Sequence, residues 1–396
     1  MTVSTSYVDI PHSDLDVFAD AALLDPWAGY RELRDQGPLV FLDRYGMHAA
    51  TRYSTVSHIL RTPEVFISGE GVTMNDESNQ MLRGNTLCSD GEAHATSRRV
   101  VVRPLTPKAL RPLEEEIRTE AGELVDRLIA RGRFDAVTDL AQYLPVTIVS
   151  NLVGLPEEGR ERMLLWASES FNSAGPLNER ALNSFPVLGE MVEYAITQAV
   201  PGKLKPGSWA EAVFLAADRG EVAKDRCPIM MMDYMGPSLD TTIFAISSAV
   251  WLFAQYPDQW DLIRQDPKLI PSAINEVLRM ESPLQCFSRK AAVDTEIDGA
   301  MLPAESRVIV YYGAANRDER KYPEPDRFDV TRNPTDHVGF GAGPHACVGM
   351  NLARLEMRAL FEELAAKVKR FEIQSETRAL NNVLRGFASI DVVAHG

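Results

Sequence analysis

One cysteine of this chain sits in a loop that suits close contact with a metal-bearing group. Cys347 lies in the run FGAGPHACVG, where Gly341, Gly343 and Gly349 let the backbone turn tightly and approach a flat partner, since glycine has no Cβ. A helix-forming run over 350–369 follows directly. The unpaired N–H groups and the positive dipole end at a helix N-terminus favour a thiolate over a thiol. Because a thiolate is a soft, electron-donating ligand, the pattern indicates a metal site.

The ten-residue pattern F-G-x-G-x-H-x-C-x-G resembles the haem-thiolate loop of the cytochrome P-450 superfamily. A lone cysteine beside glycines is more often a buried structural residue, but this many matching positions favour the ligand. The resemblance implies that Cys347 is the axial ligand of the iron of haem b, and that Phe340, Gly341, His345 and Gly349 contact the haem. In this enzyme class the thiolate pushes electron density onto the iron and favours O–O cleavage.

A second match lies at Glu276 and Arg279, which stand one helical turn apart on one face. Such pairs are common on solvated surfaces, where they contribute little to stability. Together with the cysteine loop, the pair resembles the family's ExxR motif, and Arg327 in the irregular segment before the loop is the expected third partner. The resemblance implies a buried charge network that fixes the loop and is costly to break.

Cations at helical spacing form a third match. His94 and Arg98 stand at i and i+4 in DGEAHATSRRV, which resembles the family's HxxxR helix. The resemblance implies that these two residues, with Arg289 and His345, bind the haem propionates. For any one of them taken alone, an ordinary surface cation is the simpler interpretation.

The run Gly236 to Thr242 (GPSLDTT) resembles the family's acid–alcohol pair on the helix that covers the haem. The resemblance implies that Asp240 and Thr241 deliver protons during the reduction of O2. A mid-helix threonine taken alone is more often bonded to a carbonyl one turn earlier. This chain departs from the family where Pro237-Ser238 replaces a small-residue pair. Proline lacks an N–H and clashes with the preceding turn, so it can open the helix by another route.

Composition narrows the class of protein. The chain has 396 residues and a net charge of −15, which argues against binding to nucleic acid or to an anionic membrane surface. Its four cysteines show no paired spacing, so neither a disulfide framework nor a CxxC zinc site is indicated. Residues 1–20 contain four aspartates and no apolar run, and no stretch reaches the roughly 18 apolar residues of a membrane span. We expect a cytoplasmic monomer.

Periodicity predicts a mainly α protein with small β-sheets, folded as one domain over 1–396 with 1–20 as an N-terminal tail. The resemblance implies the cytochrome P-450 fold, with haem between a long helix at about 224–255 and the cysteine-loop helix at about 347–367. Residues 66–90 show no period and many turn formers, and are predicted to be one long loop. Further predicted elements are helices at 26–36, 53–61, 257–266 and 271–281, and strands at 39–42, 47–51, 289–298 and 301–312.

The chain looks most like bacterial members that oxidise para-substituted aromatic acids, including by O-demethylation. This likeness covers about 20–390 and is carried by FNSAGPLNE, SLDTT, ESPLQCFSR and ANRDERKYPEPDRFDVTRN. Those enzymes hold the substrate carboxylate with an arginine in the loop after the second helix and with serine-type groups on the haem-covering helix. The matching positions here are Glu70, Asp233 and Gly236. Two acidic residues would repel an acid substrate unless Arg83 compensates.

The resemblance also implies an apolar pocket lining. Its expected members are Phe171, Ala174, Leu239, Leu284 and Phe287, each of which is equally compatible with ordinary core. Ala174 stands where the acid-oxidising relatives carry an aromatic ring, so a roomier pocket is predicted. The expected substrate is a small neutral aromatic with a methoxy or alkyl group, attacked at its methyl or benzylic C–H.

The expected activity is monooxygenation with O2, with electrons from NAD(P)H supplied through a ferredoxin and its reductase. Four other interpretations remain open at this stage. They are a peroxide-driven peroxygenase, a hydroxylase of a terpenoid or natural-product intermediate, a haem sensor or carrier without turnover, and a cysteine hydrolase built on Cys347. The hydrolase is disfavoured because His345 is too close in sequence to act as an independent base.

Overall fold

The computed structural model describes residues 8–156 and 159–396, and within these ranges the chain is mainly helical with small β-sheets. The predicted fold class is confirmed. The first eleven helices are α1 (Asp20–Leu24), α2 (Trp27–Gln36), α3 (Tyr53–Arg61), α4 (Asp76–Met81), α5 (Gly91–Val102), α6 (Pro107–Leu110), α7 (Glu114–Arg131), α8 (Ser150–Val153), α9 (Met163–Asn172), α10 (Glu179–Thr197) and α11 (Trp209–Asp218). The remaining helices are α12 (Cys227–Met235), α13 (Asp240–Gln255), α14 (Pro257–Gln265), α15 (Ile270–Glu281), α16 (Tyr312–Asn316) and α17 (Met350–Lys367).

The strands are β1 (His12–Ser13), β2 (Val40–Leu42), β3 (Met47–Ala50), β4 (Phe66–Ile67), β5 (Arg133–Asp135), β6 (Cys286–Ala291), β7 (Thr295–Ile297), β8 (Ala300–Leu302), β9 (Arg307–Tyr311), β10 (Arg370–Arg378) and β11 (Phe387–His395). They form a six-stranded sheet in the order β1-β2-β3-β9-β6-β4, a three-stranded sheet β10-β11-β5 and a two-stranded sheet β7-β8. The antiparallel pair β10-β11 was not among the sequence predictions.

The predicted N-terminal tail is partly structured. Residues 1–7 lie outside the described residues, but β1 pairs in parallel with β2 and joins the large sheet. One buried cluster then draws members from Val17 to Ala394. The assignment of a single domain over the whole chain stays a prediction.

The loop predicted over 66–90 is wrong in part. This segment contains the short strand β4, which pairs with β6, and the helix α4. The side chain of Asn75 caps α4 by accepting a hydrogen bond from the N–H of Ser78 at 2.8 Å. Buried asparagines and threonines satisfy their backbone locally here, so the segment folds without the apolar period that would reveal it.

Helices α13, α15 and α17 pack together at the centre of the molecule. Helix α13 carries apolar residues around nearly its whole circumference, which is typical of a helix that is buried on nearly all sides. By length and composition, 224–255 is long and apolar enough to cross a membrane, but 72% of its most apolar window is buried inside the protein. That degree of burial is typical of a core helix.

The predicted long helix is interrupted between α12 and α13, at 236–239. Pro237 has no N–H to donate, so the regular i to i−4 ladder fails at this point. Two hydroxyl groups replace the missing donors: Ser238 Oγ donates to the carbonyl oxygen of Tyr234, and Thr241 Oγ1 donates to that of Pro237 at 3.2 Å. The predicted opening by Pro237-Ser238 is therefore present.

Candidate active site

A cavity lies between the α12–α13 interruption, helix α5, strand β6 and the loop that precedes α17. Cys347 lines it with an exposed side chain, whereas the other three cysteines are buried. The loop is held by the N–H of Cys347, which donates to the carbonyl oxygen of Phe340 at 2.8 Å. Gly343 has φ +68°, and a Cβ there would stand 2.2 Å from the carbonyl oxygen of Leu60. Glycine is thus required at this turn, as the sequence pattern predicts.

The surroundings of the Cys347 sulfur act in opposite directions on its pKa. The side chain is open to the cavity but removed from bulk solvent, and this desolvation raises the pKa of the thiol overall. The N–H groups of Gly349 and Met350 and the guanidinium groups of Arg98 and Arg354 lower the pKa and offset the rise only in part. These N–H groups belong to the start of α17. The helix N-terminus acts in the predicted direction, but the pKa of the thiol stays raised, so these N–H groups alone do not favour the thiolate.

The predicted propionate ligands His94, Arg98, Arg289 and His345 all line the same cavity. The imidazole rings of His94 and His345 lie 4.0 Å apart between centroids. Burial lowers the pKa of both, that of His345 to about 2, so both rings are neutral at physiological pH. Arg98 donates to the carbonyl oxygen of Ala346, which ties α5 to the cysteine loop.

This set of residues fits a dianionic, flat cofactor. Arg289 is 3% exposed, and neither it nor Arg98 forms an ion pair with a carboxylate among the residues that the structure describes. His94 Nε2 is buried without a hydrogen-bond partner there. Buried cations and buried donors without partners are costly, so carboxylates from a bound group would relieve that cost. Haem carries two such carboxylates.

Glu276 and Arg279 form a fully buried ion pair on α15. Arg279 Nε donates to Glu276 Oε2 at 2.7 Å and Nη2 donates to Oε1 at 2.9 Å, and both side chains are 0% exposed. Arg279 Nη1 also donates to the carbonyl oxygens of Asn316 and Pro325, each at 2.8 Å. The pair thus holds the irregular segment that leads to the cysteine loop.

Arg327 is not the third member of this network, and that prediction is wrong. Its side chain is 57% exposed and pairs with Glu324. The third member is Arg332, whose Nε donates to Glu276 Oε1 at 3.1 Å and whose side chain is 16% exposed. Arg327 contributes only its carbonyl oxygen, which accepts from Arg332 Nη2 at 3.3 Å. Sequence reasoning missed Arg332 because no fixed spacing links it to Glu276; only the path of an irregular segment does.

Thr241 lines the cavity, and its hydroxyl proton is already engaged by the carbonyl oxygen of Pro237. The oxygen of Thr241 therefore keeps its acceptor lone pairs. Asp240 is 7% exposed and does not belong to the cavity wall, and the charge of Glu169 on α9 acts on it. Burial, and then the charge of Glu169, raises the pKa of Asp240 to about 7. Asp240 can hold a proton at neutral pH.

The buried carboxyl of Asp240 predicts a pH-dependent stability. Because its pKa is raised above the unfolded value, the carboxylate form destabilises the fold above about pH 7, and the cost disappears below about pH 4. We expect Asp240→Asn to raise the free energy of unfolding at pH 8 by up to about 4 kcal/mol and to have no such effect at pH 4. Urea unfolding at both pH values measures this. The exposed Asp225→Asn serves as control, and a destabilised D240N at pH 8 would contradict the assignment.

Six of the eight predicted substrate residues line the cavity: Phe171, Ala174, Asp233, Gly236, Leu284 and Phe287. Two predictions are wrong. Leu239 is 1% exposed but packs into the core rather than the cavity wall. Glu70 lies outside the wall, with a side chain 48% exposed and 3.8 Å from the guanidinium of Arg83. Arg83 and Glu70 pair with each other, so neither acts on a ligand in the cavity.

Comparisons with known proteins agree with this site. The cytochrome P-450 family profile matches residues 212–390. Cytochrome p450 CYP199A2 of Rhodopseudomonas palustris is 35% identical over 99% of this chain and 96% of its own length. Linalool 8-monooxygenase of Pseudomonas putida is 30% identical over 92% of this chain and 94% of its own length.

Solved structures show the same fold. Mycobacterium marinum cytochrome P-450 CYP268A2 in complex with pseudoionone superposes with a TM-score of 0.86 at 27% identity, covering 97% of this chain and 99% of the other. An intact type IV self-sufficient cytochrome P-450 monooxygenase matches with a TM-score of 0.84 at 28% identity over 96% of this chain, which spans 53% of that protein. The family implies haem b as cofactor. By its near full-length relatives, its fold and the cysteine loop at its centre, the chain belongs to the cytochrome P-450 family of monooxygenases.

Proposed function

We propose that this protein inserts one oxygen atom of O2 into a C–H bond of a small neutral aromatic substrate, by hydroxylation or by oxidative O-demethylation. The observation that carries the proposal is the meeting of Cys347, Thr241 and the apolar side chains in one cavity. Bound haem supplies the oxidising chemistry, while the protein supplies orientation, protons and exclusion of water. Cys347 would supply the thiolate that holds the haem iron, and His94, Arg98, Arg289 and His345 would bind the haem propionates.

Asp240 and Thr241 supply the proton path in this proposal. Thr241 reaches the cavity and keeps its acceptor lone pairs because its own proton is donated to Pro237. Asp240 is the next residue back, and its pKa of about 7 leaves it able both to bind and to release a proton at neutral pH. The hydroxyl oxygen of Thr241 accepts a hydrogen bond at the cavity wall, and Asp240 supplies the next proton to this path.

The neutral character of the substrate rests on Asp233. This carboxyl group lines the cavity, whereas the carboxyl group of Glu70 lies outside the cavity wall. The arginines in the wall, Arg98 and Arg289, are assigned to the propionates. The aromatic character is supported by Phe171 and Phe287, whose rings stack with centroids 6.4 Å apart across the apolar side of the cavity.

Electrons come, in this proposal, from NAD(P)H through a separate reductase and ferredoxin in the cytoplasm. The self-sufficient neighbour offers the other arrangement, in which one longer protein contains the monooxygenase. Product formation with NADH and an added ferredoxin–reductase pair, and none with hydrogen peroxide alone, would support the separate partners.

A neutral terpenoid is the second candidate substrate. Linalool 8-monooxygenase is among the relatives, and a relative has been solved with pseudoionone. Both candidates share a neutral molecule in an apolar cavity, so the charge argument from Asp233 does not separate them. A direct measurement of ligand binding separates the two substrate classes.

Ligand binding at the iron tests the charge and the class of the substrate. A ligand that displaces the iron-bound water shifts the Soret band of the ferric protein. We expect 1,4-dimethoxybenzene to produce this shift and 4-methoxybenzoate to produce none at pH 8, because an ionised Asp233 repels the carboxylate. Linalool serves as the terpenoid probe. Tighter binding of 4-methoxybenzoate than of the neutral ether contradicts the neutral-substrate proposal, and a stronger response to linalool moves the assignment to terpenoids.

A further inference from the structure

One carboxyl group in the cavity wall has no partner cation. Asp233 lies on α12 and reaches the cavity, and among the described residues it forms no ion pair. The nearest cation acting on it is Arg226, whose Nη2 donates to the carbonyl oxygen of Gly84 at 2.6 Å. A buried carboxyl group is ordinarily paired or hydrogen-bonded on most of its lone pairs, so its surroundings indicate what else it can bind.

Among the described residues, Thr86 supplies the hydrogen bonding to Asp233. The backbone N–H of Thr86 lies 3.3 Å from Oδ1 and 3.2 Å from Oδ2, shared between the two oxygens. A carboxyl group offers about four acceptor positions, so Thr86 leaves part of its capacity open. Burial raises the pKa of Asp233 to about 7, although the hydrogen bonds from Thr86 and the charge of Arg226 lower it. In both protonation states the group retains a free acceptor oxygen.

The position of Asp233 defines which end of a ligand it can contact. Asp233 on α12 and Thr241 on α13 stand eight residues apart, on either side of the helix interruption at 236–239. Thr241 marks the end of the cavity at which oxygen is handled in the proposed function. Asp233 therefore faces the opposite end of a substrate that is being oxidised.

We propose that Asp233 selects substrates that carry a hydroxyl group at the end remote from the oxidised C–H bond, by accepting a hydrogen bond from that hydroxyl. This inference rests on the proposed function and names the substrate class more closely, as hydroxylated aromatic ethers or alkyl-phenols. A neutral hydroxyl satisfies the open acceptor without adding charge to the cavity. A carboxylate substrate adds a second negative charge and is rejected.

The test uses the ferric holoprotein and two ligands that differ only in the donor. These are 4-methoxyphenol and 1,4-dimethoxybenzene, with affinities read from the Soret shift. We expect the phenol to bind about tenfold more tightly, as one hydrogen bond to a charged acceptor implies. Asp233→Leu should abolish this preference, so that the two ligands bind with similar affinities. Glu70→Leu removes an acid outside the cavity wall and should keep the preference.

A second variant covers the case in which leucine disturbs the fold. Asp233→Asn keeps the shape and removes the charge, and we expect it to let 4-methoxybenzoate bind at pH 8. Equal affinities of the parent for phenol and ether, unchanged in both variants, would overturn the role of Asp233 and leave the aromatic monooxygenase intact. If none of the three aromatics shifts the Soret band of any variant, the aromatic substrate and this inference both fail.

Discussion

Arg279→Met is expected to lower the free energy of unfolding by about 3–5 kcal/mol and to yield protein that does not retain haem. The substitution leaves the carboxylate of Glu276 fully buried with only Arg332 and one backbone N–H to compensate it. It also frees the carbonyl oxygens of Asn316 and Pro325, which Arg279 holds. The segment that carries the cysteine loop thereby loses its attachment to α15.

Arg327, which lies outside the buried network, provides the matched control. Arg327→Met removes a cation from the same segment, but from an exposed pair with Glu324 that is worth about 0–1 kcal/mol. Urea unfolding of both variants, together with the haem-to-protein absorbance ratio after purification, measures the difference. Equal losses in the two variants would contradict the assignment of Arg279 and Arg332 to the buried network.

Thr241→Ala is expected to keep haem and substrate binding but to lower the rate of product formation by about 10²–10⁴-fold. The electrons from NADH should instead reduce O2 to hydrogen peroxide. The variant removes the hydroxyl at the cavity wall and leaves the carbonyl oxygen of Pro237 without its donor. Electrons still arrive, but protons are no longer placed where the oxygen chemistry requires them. The ratio of product to NADH, with peroxide assayed in parallel, reports this loss.

Thr241→Ser is the matched control because it keeps the hydroxyl and should retain most of the coupling of electrons to product. The same pair of variants tests the peroxygenase alternative, since a peroxide-driven enzyme has little need of a proton path from Asp240. Unchanged coupling in Thr241→Ala would refute the role of Thr241, and full peroxide-driven activity in both variants would favour the peroxygenase.

The parts of the site that short spacings define were predicted from the sequence. The turn glycines around Cys347, the i,i+3 pair Glu276–Arg279 and the i,i+4 pair His94–Arg98 each depend on local geometry that a helix or a tight turn imposes. Local geometry of this kind can be predicted from one amino-acid sequence. In the structure Glu276 and Arg279 form a buried pair, and His94 and Arg98 line the same cavity as Cys347.

The errors lie where irregular backbone decides which way a side chain points. Glu70 and Arg83 come from a segment without periodicity, and there the two side chains pair with each other rather than reaching the cavity. Arg332 replaced Arg327 for the same reason. Leu239 sits in the helix interruption, where one residue of offset turns a side chain from the cavity to the core. The β10–β11 hairpin was missed because its exposed strand carries mostly charged and polar residues.

The tie between Arg98 and the carbonyl oxygen of Ala346 joins residues 248 positions apart in the chain. The contact between the rings of His94 and His345 spans a similar separation. During synthesis, α5 leaves the ribosome long before the cysteine loop exists, at a pace of about 5–20 residues per second. Helix α5 therefore exists for on the order of ten seconds or more before the loop residues that contact His94 and Arg98 are synthesised. Because the proposed iron ligand Cys347 is synthesised well after α5, we expect cofactor capture to be a late event in biogenesis, and a ribosome stalled before Cys347 to carry a nascent chain that does not bind haem.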